Sequence, residues 1–164
     1  MIKETTKQFK VLIGQVILTR PPNILQTVLG SCLGVVLYDE VNNIMGMTHI
    51  LLPCSEGRPK SDLPGKYADD ALPCLYNAII KKGGKHENIK AKIAGGARMF
   101  QTSVDYSNHD VGSANICAVK KQLSILSIPI KGEDTGGNTG RKMELDPQSF
   151  MVSIEKFSQG ACKI

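Results

Sequence analysis

The sequence predicts an α/β fold: a single-domain layered sandwich with a mixed or antiparallel sheet and two main helices. Three observations lead to this prediction. Strand-like runs outnumber helical ones, and both predicted helices fall in the middle of the chain. A length of 164 residues suits one domain, covering 1–164, that can bury a sizeable core.

The predicted strands are apolar, β-rich runs bounded by Gly, Asn and Pro signals. Seven such runs occur, near residues 10–18, 27–38, 44–52, 90–94, 127–133, 140–145 and 149–156.

Two segments have the periodicity of amphipathic helices. The first, "KYADDALPCLYNAIIKKGG", has one apolar face and ends at Gly83-Gly84, and we expect Pro73 in its first turn or at a kink. In the second, "DVGSANICAVKKQLSIL", Ser113 is the predicted N-cap and Cys117 the first residue of the apolar side.

Composition and charge restrict the class of protein. Hydrophobic residues make up 41% and charged residues 21%, the balance of a soluble globular protein, and no run approaches the length of a membrane span. The N-terminal "MIKETTKQFK" lacks the apolar core of a signal peptide, so a cytoplasmic location is expected. The net charge of +5 includes the lysine-rich segment 81–92. Aromatic residues do not interleave with these lysines, so we expect no nucleic-acid partner; a basic face could instead meet an acidic protein.

The five cysteines exclude two common uses of this residue. Their number is odd and no two form a CxxC pair, so neither a disulfide framework nor a zinc site is predicted. We expect no metal and no cofactor. The cysteines are Cys32, Cys54, Cys74, Cys117 and Cys162, of which Cys74 and Cys117 are expected to be protected on helix faces.

The stretch "TVLGSCLGVVLYDEVNNIMGMTHILLP" contains the candidate chemistry. It is predicted to form a hairpin around the polar loop "DEVN". If Tyr38 pairs with Asn43, Cys32 lies directly opposite His49, and cross-strand partners share a face. A thiol beside an imidazole is a nucleophile with its base, and the charged imidazole would lower the pKa of the thiol.

The residues before the cysteine could complete such a site. Backbone N–H groups near Gly30 and Ser31 could hold an oxyanion, and the hydroxyl of Thr27 could orient the imidazole. The alternative is a core cysteine and a core histidine that merely face each other. The pattern alone leaves both interpretations open.

Five motifs in order resemble the chemoreceptor glutamine deamidases, the CheD family. They are "LGSC", "HILLP" seventeen residues after the cysteine, "GKYADDA", "KIAGGARMF" and "EDTGGNTGR", and the resemblance extends over about residues 10 to 155. The resemblance implies hydrolysis of glutamine side chains to glutamate on methyl-accepting chemoreceptors. It assigns the nucleophile to Cys32, the base to His49 and the third catalytic residue to Thr27, and it implies an α/β sandwich.

The resemblance also implies partners, and the glycine-rich stretches "AGGA" and "DTGGN" are either a surface that a receptor helix can approach closely or ordinary turns. The substrate would be the cytoplasmic helices of a chemoreceptor, and many members bind the CheC phosphatase; we expect a monomer when the protein is free. The expected substrate-binding residues are Ser31, Gly95, Gly96, Arg98, Gly136, Gly137 and Asn138. Two alternatives stay open: an interaction protein that binds and stimulates a phosphatase, and a methylesterase acting on receptor glutamates.

Overall fold

A computed structural model describes residues 5–99 and 110–164 of the chain. Within these residues the chain forms ten strands, two α-helices and one short 3₁₀ helix. In chain order the elements are β1 (Gln8–Lys10), β2 (Val16–Thr19), β3 (Ile24–Leu29), β4 (Leu33–Asp39), β5 (Ile44–Ile50), α1 (Ala68–Lys81), the 3₁₀ helix (His86–Asn88), β6 (Lys90–Gly95), α2 (Val111–Ile125), β7 (Ile130–Thr135), β8 (Arg141–Leu145), β9 (Val152–Lys156) and β10 (Gly160–Lys163).

The strands form two five-stranded sheets. Sheet I has the order β2-β5-β4-β6-β7, and sheet II has the order β1-β3-β8-β9-β10. Each sheet is mixed, because β6 and β7 pair in parallel in sheet I, as do β1 and β3 in sheet II, while the other pairs are antiparallel. The predicted layered α/β sandwich with two main helices is confirmed.

Sheet I is the middle layer of three. Its outer face packs against α1 and α2, through residues such as Leu33, Val35 and Leu72, and its inner face packs against sheet II, through Val36 and Met143. Every residue of β4 and β5 is therefore buried, which explains why their apolar runs are nearly continuous instead of alternating.

The predicted strand 27–38 is wrong in one respect that matters for the site. It is two strands in different sheets: β3 ends at Leu29 in sheet II and β4 begins at Leu33 in sheet I. The chain crosses between the layers in Gly30-Ser31-Cys32. The run 10–18 divides in the same way between β1 and β2, and β10 was not predicted because its exposed, short sequence has no apolar period.

The helices begin and pack differently from the prediction. Asp110, not Ser113, is the N-cap of α2: its carboxylate accepts the N–H of Gly112, while the Ser113 hydroxyl donates to it. Pro73 lies in the second turn of α1, not the first. Neither helix in the described ranges has the length and apolarity to cross a bilayer.

Cys74 and Cys117 are both exposed, so their predicted protection is wrong. The buried side of α2 is formed by Gly112, Asn115, Val119 and Leu123. Cys117 lies two residues from Val119, a turn of roughly 200° around the helix, and so faces away from the core.

Candidate active site

The β4–β5 hairpin carries Cys32 and His49 near its open end, but they are not direct partners. Gly34 pairs with His49 and Asp39 with Ile44, so the predicted pairing of Cys32 with His49 is wrong by two residues. The cause lies in the loop: Asn43 has φ of 53°, a left-handed conformation that ends a strand. Asn43 is therefore a turn residue and cannot pair with Tyr38.

A slip of two residues keeps every side chain on its original face. Cys32 lies with Val36 and Met47 in the core between the two sheets, and His49 has the same parity as Met47 on β5. Cys32, one residue before β4, and His49 therefore lie on the inner side of sheet I, with the residue opposite His49 two positions after Cys32. The residue opposite His49 is Gly34, so no Cβ at that position stands beside the imidazole.

Thr27 reaches the imidazole from the other sheet. Its Oγ1 lies 2.8 Å from His49 Nδ1 and donates to the carbonyl of Val11 at 2.7 Å. Because the hydroxyl has only one hydrogen and the carbonyl takes it, Oγ1 must accept from Nδ1–H. The contact therefore fixes the tautomer: Nδ1 carries the proton, and Nε2 holds a free lone pair.

His49 Nε2 is buried and has no hydrogen-bond partner among the described residues. Burial lowers the pKa of His49, and the Val11 carbonyl opposes that shift by favouring the charged ring. Burial therefore favours the neutral imidazole, and its Nε2 lone pair, which no described residue engages, is what a general base requires.

The thiol of Cys32 is also buried, and burial raises its pKa. This contradicts the predicted lowering by a charged His49, because the neutral ring supplies no positive charge to stabilise a thiolate. Burial therefore favours the uncharged form of each group.

Three hydrogen bonds hold the carbonyls of the Gly30-Ser31-Cys32 crossing. Ala97 N–H donates to Gly30 O at 2.9 Å, Asn115 Nδ2 to Ser31 O at 3.1 Å, and Gly96 N–H to Cys32 O at 2.8 Å. Within the described residues, no hydrogen bond is donated by the N–H of Ser31 or Cys32. The crossing thus has fixed acceptors and two available donors beside the thiol, the arrangement needed to receive an oxyanion.

The predicted glycines at the end of β6 pack against the Gly30-Ser31-Cys32 turn. Gly95 has φ of 107°, and a Cβ there would lie 2.3 Å from the carbonyl oxygen of Cys32. No other residue would fit without moving this turn. Both Gly95 and Gly96 are buried, so they pack against the protein-facing side of the turn that carries Cys32.

The other predicted substrate residues lie one loop further out. Gly136 N–H donates to Gly95 O and Arg98 N–H to Gly137 O, so the loop 136–138 lies against the segment that supports Cys32. Arg98 and Asn138 are exposed and Ser31 is partly buried.

Arg141 and Asn115 are buried polar side chains next to the predicted site that the sequence analysis did not single out. Arg141 donates to the carbonyls of Asp134, Gly136 and Thr139 and forms an ion pair with the Asp134 carboxylate, so it shapes the glycine-rich loop from inside. Asn115 bridges Ser31 and Leu51. The signal available for each was a polar residue on the buried, otherwise apolar face of its element.

The described residues contain no group of three or more His, Cys, Asp or Glu side chains placed to hold a metal ion.

Comparison with known proteins identifies the family. The model of the family described as CheD chemotactic sensory transduction matches residues 51–156. The chain is 43% identical over 157 residues to the chemoreceptor glutamine deamidase CheD of Halalkalibacterium halodurans, covering 94% of this chain and 97% of that one. The chain belongs to the CheD family.

The family match by itself begins two residues after His49 and so does not include the Thr27, Cys32 and His49 positions. The full-length relatives do extend there: the CheD of Bacillus licheniformis, also named chemoreceptor glutamine deamidase, is 40% identical over 166 residues, covering 100% of this chain and 99% of its own. A solved structure, the hypothetical protein YfiH of Bacillus licheniformis, superposes on this chain with a TM-score of 0.45 at 14% sequence identity. The superposition covers 73% of this chain and 50% of YfiH.

Proposed function

We propose that this CheD protein hydrolyses the side-chain carboxamide of glutamines on chemoreceptors, giving glutamate and ammonia. Its full-length relatives carry the name of this activity. The proposal assigns the whole chain, 1–164, to one deamidase domain that acts in the cytoplasm without a cofactor, with Cys32 and His49 as its catalytic residues.

The first half of the reaction forms a thioester. His49 Nε2 takes the Cys32 proton while the sulfur attacks the carboxamide carbon, and the carbonyl oxygen becomes an oxyanion facing the N–H groups of Ser31 and Cys32. His49 then gives its proton to the leaving nitrogen, and ammonia departs. A carboxamide is a poor electrophile, so nucleophile, base and oxyanion donors are all needed.

The second half consumes one water molecule. His49 takes a proton from water, the hydroxide oxygen adds to the thioester carbon, and the C–S bond breaks with return of the proton to Cys32. Glutamate is released and both residues regain their starting states. The observation that carries this mechanism is the hydrogen bond of Thr27 to His49 Nδ1, because it leaves Nε2 unprotonated and able to take a proton.

The surface around Cys32 supports docking of a receptor helix. Met99 is 45% exposed beside Gly30, and Leu63 is 47% exposed where it packs on Gly14, whose N–H donates to His49 O. Exposed Arg58 and Arg98 supply positive charge to meet acidic residues near a modifiable glutamine. We propose that this apolar and basic rim binds the receptor helix, or a CheC surface that imitates it, and that the free protein is a monomer.

The test is mass spectrometry of purified receptor cytoplasmic fragments incubated with this protein and with its Cys32→Ala variant. Deamidation adds about 1 Da at the modified glutamine and releases ammonia. Fragments bearing methylated glutamates, in parallel, distinguish an amidase from a methylesterase. Binding and stimulation of a CheC phosphatase, with no mass change in any receptor fragment, would instead assign the chain to the interaction role.

A further inference from the structure

We infer that Asn115 is a positioning residue that sets the direction of the Cys32 backbone N–H toward the oxyanion. The inference rests on the acyl transfer proposed above. It begins from an amide that is completely buried in the core, although it comes from a helix on the far side of sheet I.

The amide nitrogen of Asn115 bridges two carbonyls at the open end of the hairpin. It donates to Ser31 O at 3.1 Å and to Leu51 O at 3.0 Å. The β4–β5 ladder ends at the Leu33–Ile50 pair, so these two carbonyls lie just beyond the last regular partners. One side chain therefore joins the residue before Cys32 to the second residue after His49.

The helix carrying Asn115 approaches this end unusually closely. A Cβ on Gly112 would lie 2.5 Å from Gly96 O, and a Cβ on Gly96 would lie 2.6 Å from Ile116 Cγ1. The two glycines let the first turn of α2 touch the end of β6. From there the short side chain of Asn115 can reach behind the nucleophile turn, which a longer amide in this packed space could not do.

The hydrogen bond to Ser31 O acts on the next residue through the peptide plane. Ser31 C=O and Cys32 N–H belong to one planar group, in which they point in opposite directions. Anchoring the carbonyl on Asn115 therefore directs the Cys32 N–H away from α2. That N–H donates to no group within the described residues, so it is available to the substrate oxygen.

Asn115 also lowers the stability of the fold, which a residue selected only for packing would not do. Its Oδ1 is buried and without a partner among the described residues, whereas an apolar side chain would leave no unpaired acceptor there. Both hydrogens of Nδ2 are used on carbonyls, so the orientation of the amide is forced by chemistry: Oδ1 cannot bond to either of them.

The experiment compares two reactions of Cys32 in the full chain. Acetylation by 4-nitrophenyl acetate passes through an oxyanion before nitrophenolate leaves, whereas alkylation by iodoacetamide displaces iodide without one. Rates at the Cys32 peptide are followed by mass spectrometry, which separates it from the exposed thiols. The variants are Asn115→Asp, which keeps the shape but loses both donor hydrogens, and Asn115→Ala; exposed Asn77→Asp on α1 is the matched control.

We expect acetylation to fall about 10-fold or more in both Asn115 variants, with alkylation within about 2-fold of the parent. The Asn77→Asp control keeps both rates. Equal falls in both reactions would show a displaced turn and overturn the inference, as would unchanged acetylation. If Asn115→Asp does not fold, the ratio of the acetylation rate to the alkylation rate in Asn115→Ala tests the inference. A parent protein that deamidates no receptor would contradict the proposed function, while the acetylation ratio would still test Asn115.

Discussion

The two ends of the β4–β5 hairpin satisfy their buried polar groups differently. At the closed end, the Asp39 carboxylate accepts from Asn42 N–H at 2.9 Å, from Asn42 Nδ2 at 2.7 Å and from Lys85 N–H at 2.9 Å. At the open end, His49 Nε2 and Asn115 Oδ1 are buried with no partner among the described residues.

The difference indicates that the closed end of the hairpin contributes to stability, whereas the open end keeps polar atoms for chemistry. A buried polar group without a partner costs about 1–3 kcal/mol, so native proteins retain few of them. The closed end contributes stability because every acceptor is used. At the open end, no described residue bonds to the Nε2 acceptor of His49 or to the N–H donors of Ser31 and Cys32, and these are the atoms that a reacting carboxamide would engage.

Replacement of the nucleophile should give the largest effect. Cys32→Ala removes the attacking sulfur but little of the core, so we expect deamidation to fall at least about 1,000-fold, with a change in the free energy of unfolding of about 1 kcal/mol. Ammonia release and urea unfolding measure the two quantities. The control is Cys54→Ala at an exposed thiol, which should change neither. Full activity in Cys32→Ala would remove the open end from the mechanism.

The Thr27 hydroxyl tests whether the tautomer of His49 matters. Thr27→Val keeps the shape but cannot accept from Nδ1–H, so we expect kcat to fall about 100-fold because the imidazole can rotate or change tautomer. KM should change little, since Thr27 is buried behind the ring. Thr27→Ser keeps the hydroxyl and should retain most of the rate. Equal rates in the valine and serine variants would contradict the assignment.

The closed end should respond in the opposite sense. Asp39→Ala leaves the N–H groups of Asn42 and Lys85 without their acceptor, so we expect a loss of about 1–3 kcal/mol in the free energy of unfolding. The kcat of the folded fraction should stay unchanged, because this end lies at the other end of the strands from Cys32. Glu40→Ala is the control: its ion pair with Lys90 is exposed and should contribute less than about 1 kcal/mol. A loss of kcat in Asp39→Ala would show that the two ends are coupled.

The sequence predicted the layers well because apolar periodicity reports burial directly. It placed β4 and β5 as neighbours, since a polar loop between two apolar runs favours a hairpin. It failed on the register because the position of a turn depends on a left-handed backbone at Asn43, and "DEVN" and "EVNN" are equally polar.

The sequence did not predict the crossing between sheets that separates Thr27 from Cys32. The segment 27–38 is one apolar run, and only Gly30 marks the crossing that separates Thr27 from Cys32. The common parity of Cys32 and His49 was still predictable, because an error of two residues leaves the face unchanged. Asn115 was not, because its contact with Ser31 joins residues 84 positions apart and depends on helix packing.

The smallest expected effect is a pH dependence of stability that differs between the two ends. The pKa of His49 is lowered by burial, so the unfolded chain binds a proton first as pH falls below about 6.5. The free energy of unfolding should therefore fall from about pH 6.5 toward the folded pKa. The pKa of Cys32 is raised, so the unfolded chain loses its proton first, and stability should also fall as pH rises above about 8.5. The pKa of Asp39 is lowered, and its contribution to stability is lost only in acid, near its ordinary pKa of about 4 and below.

Urea titrations at a series of pH values should show a plateau in the free energy of unfolding, bounded by the titration of His49 on the acid side and of Cys32 on the alkaline side. We expect His49→Asn to flatten the acid side and Cys32→Ala the alkaline side, with Asp39→Ala lowering the plateau without moving either edge. Edges that stay in place in both open-end variants would mean that other groups set them, and that the pKa values of Cys32 and His49 are not shifted by burial.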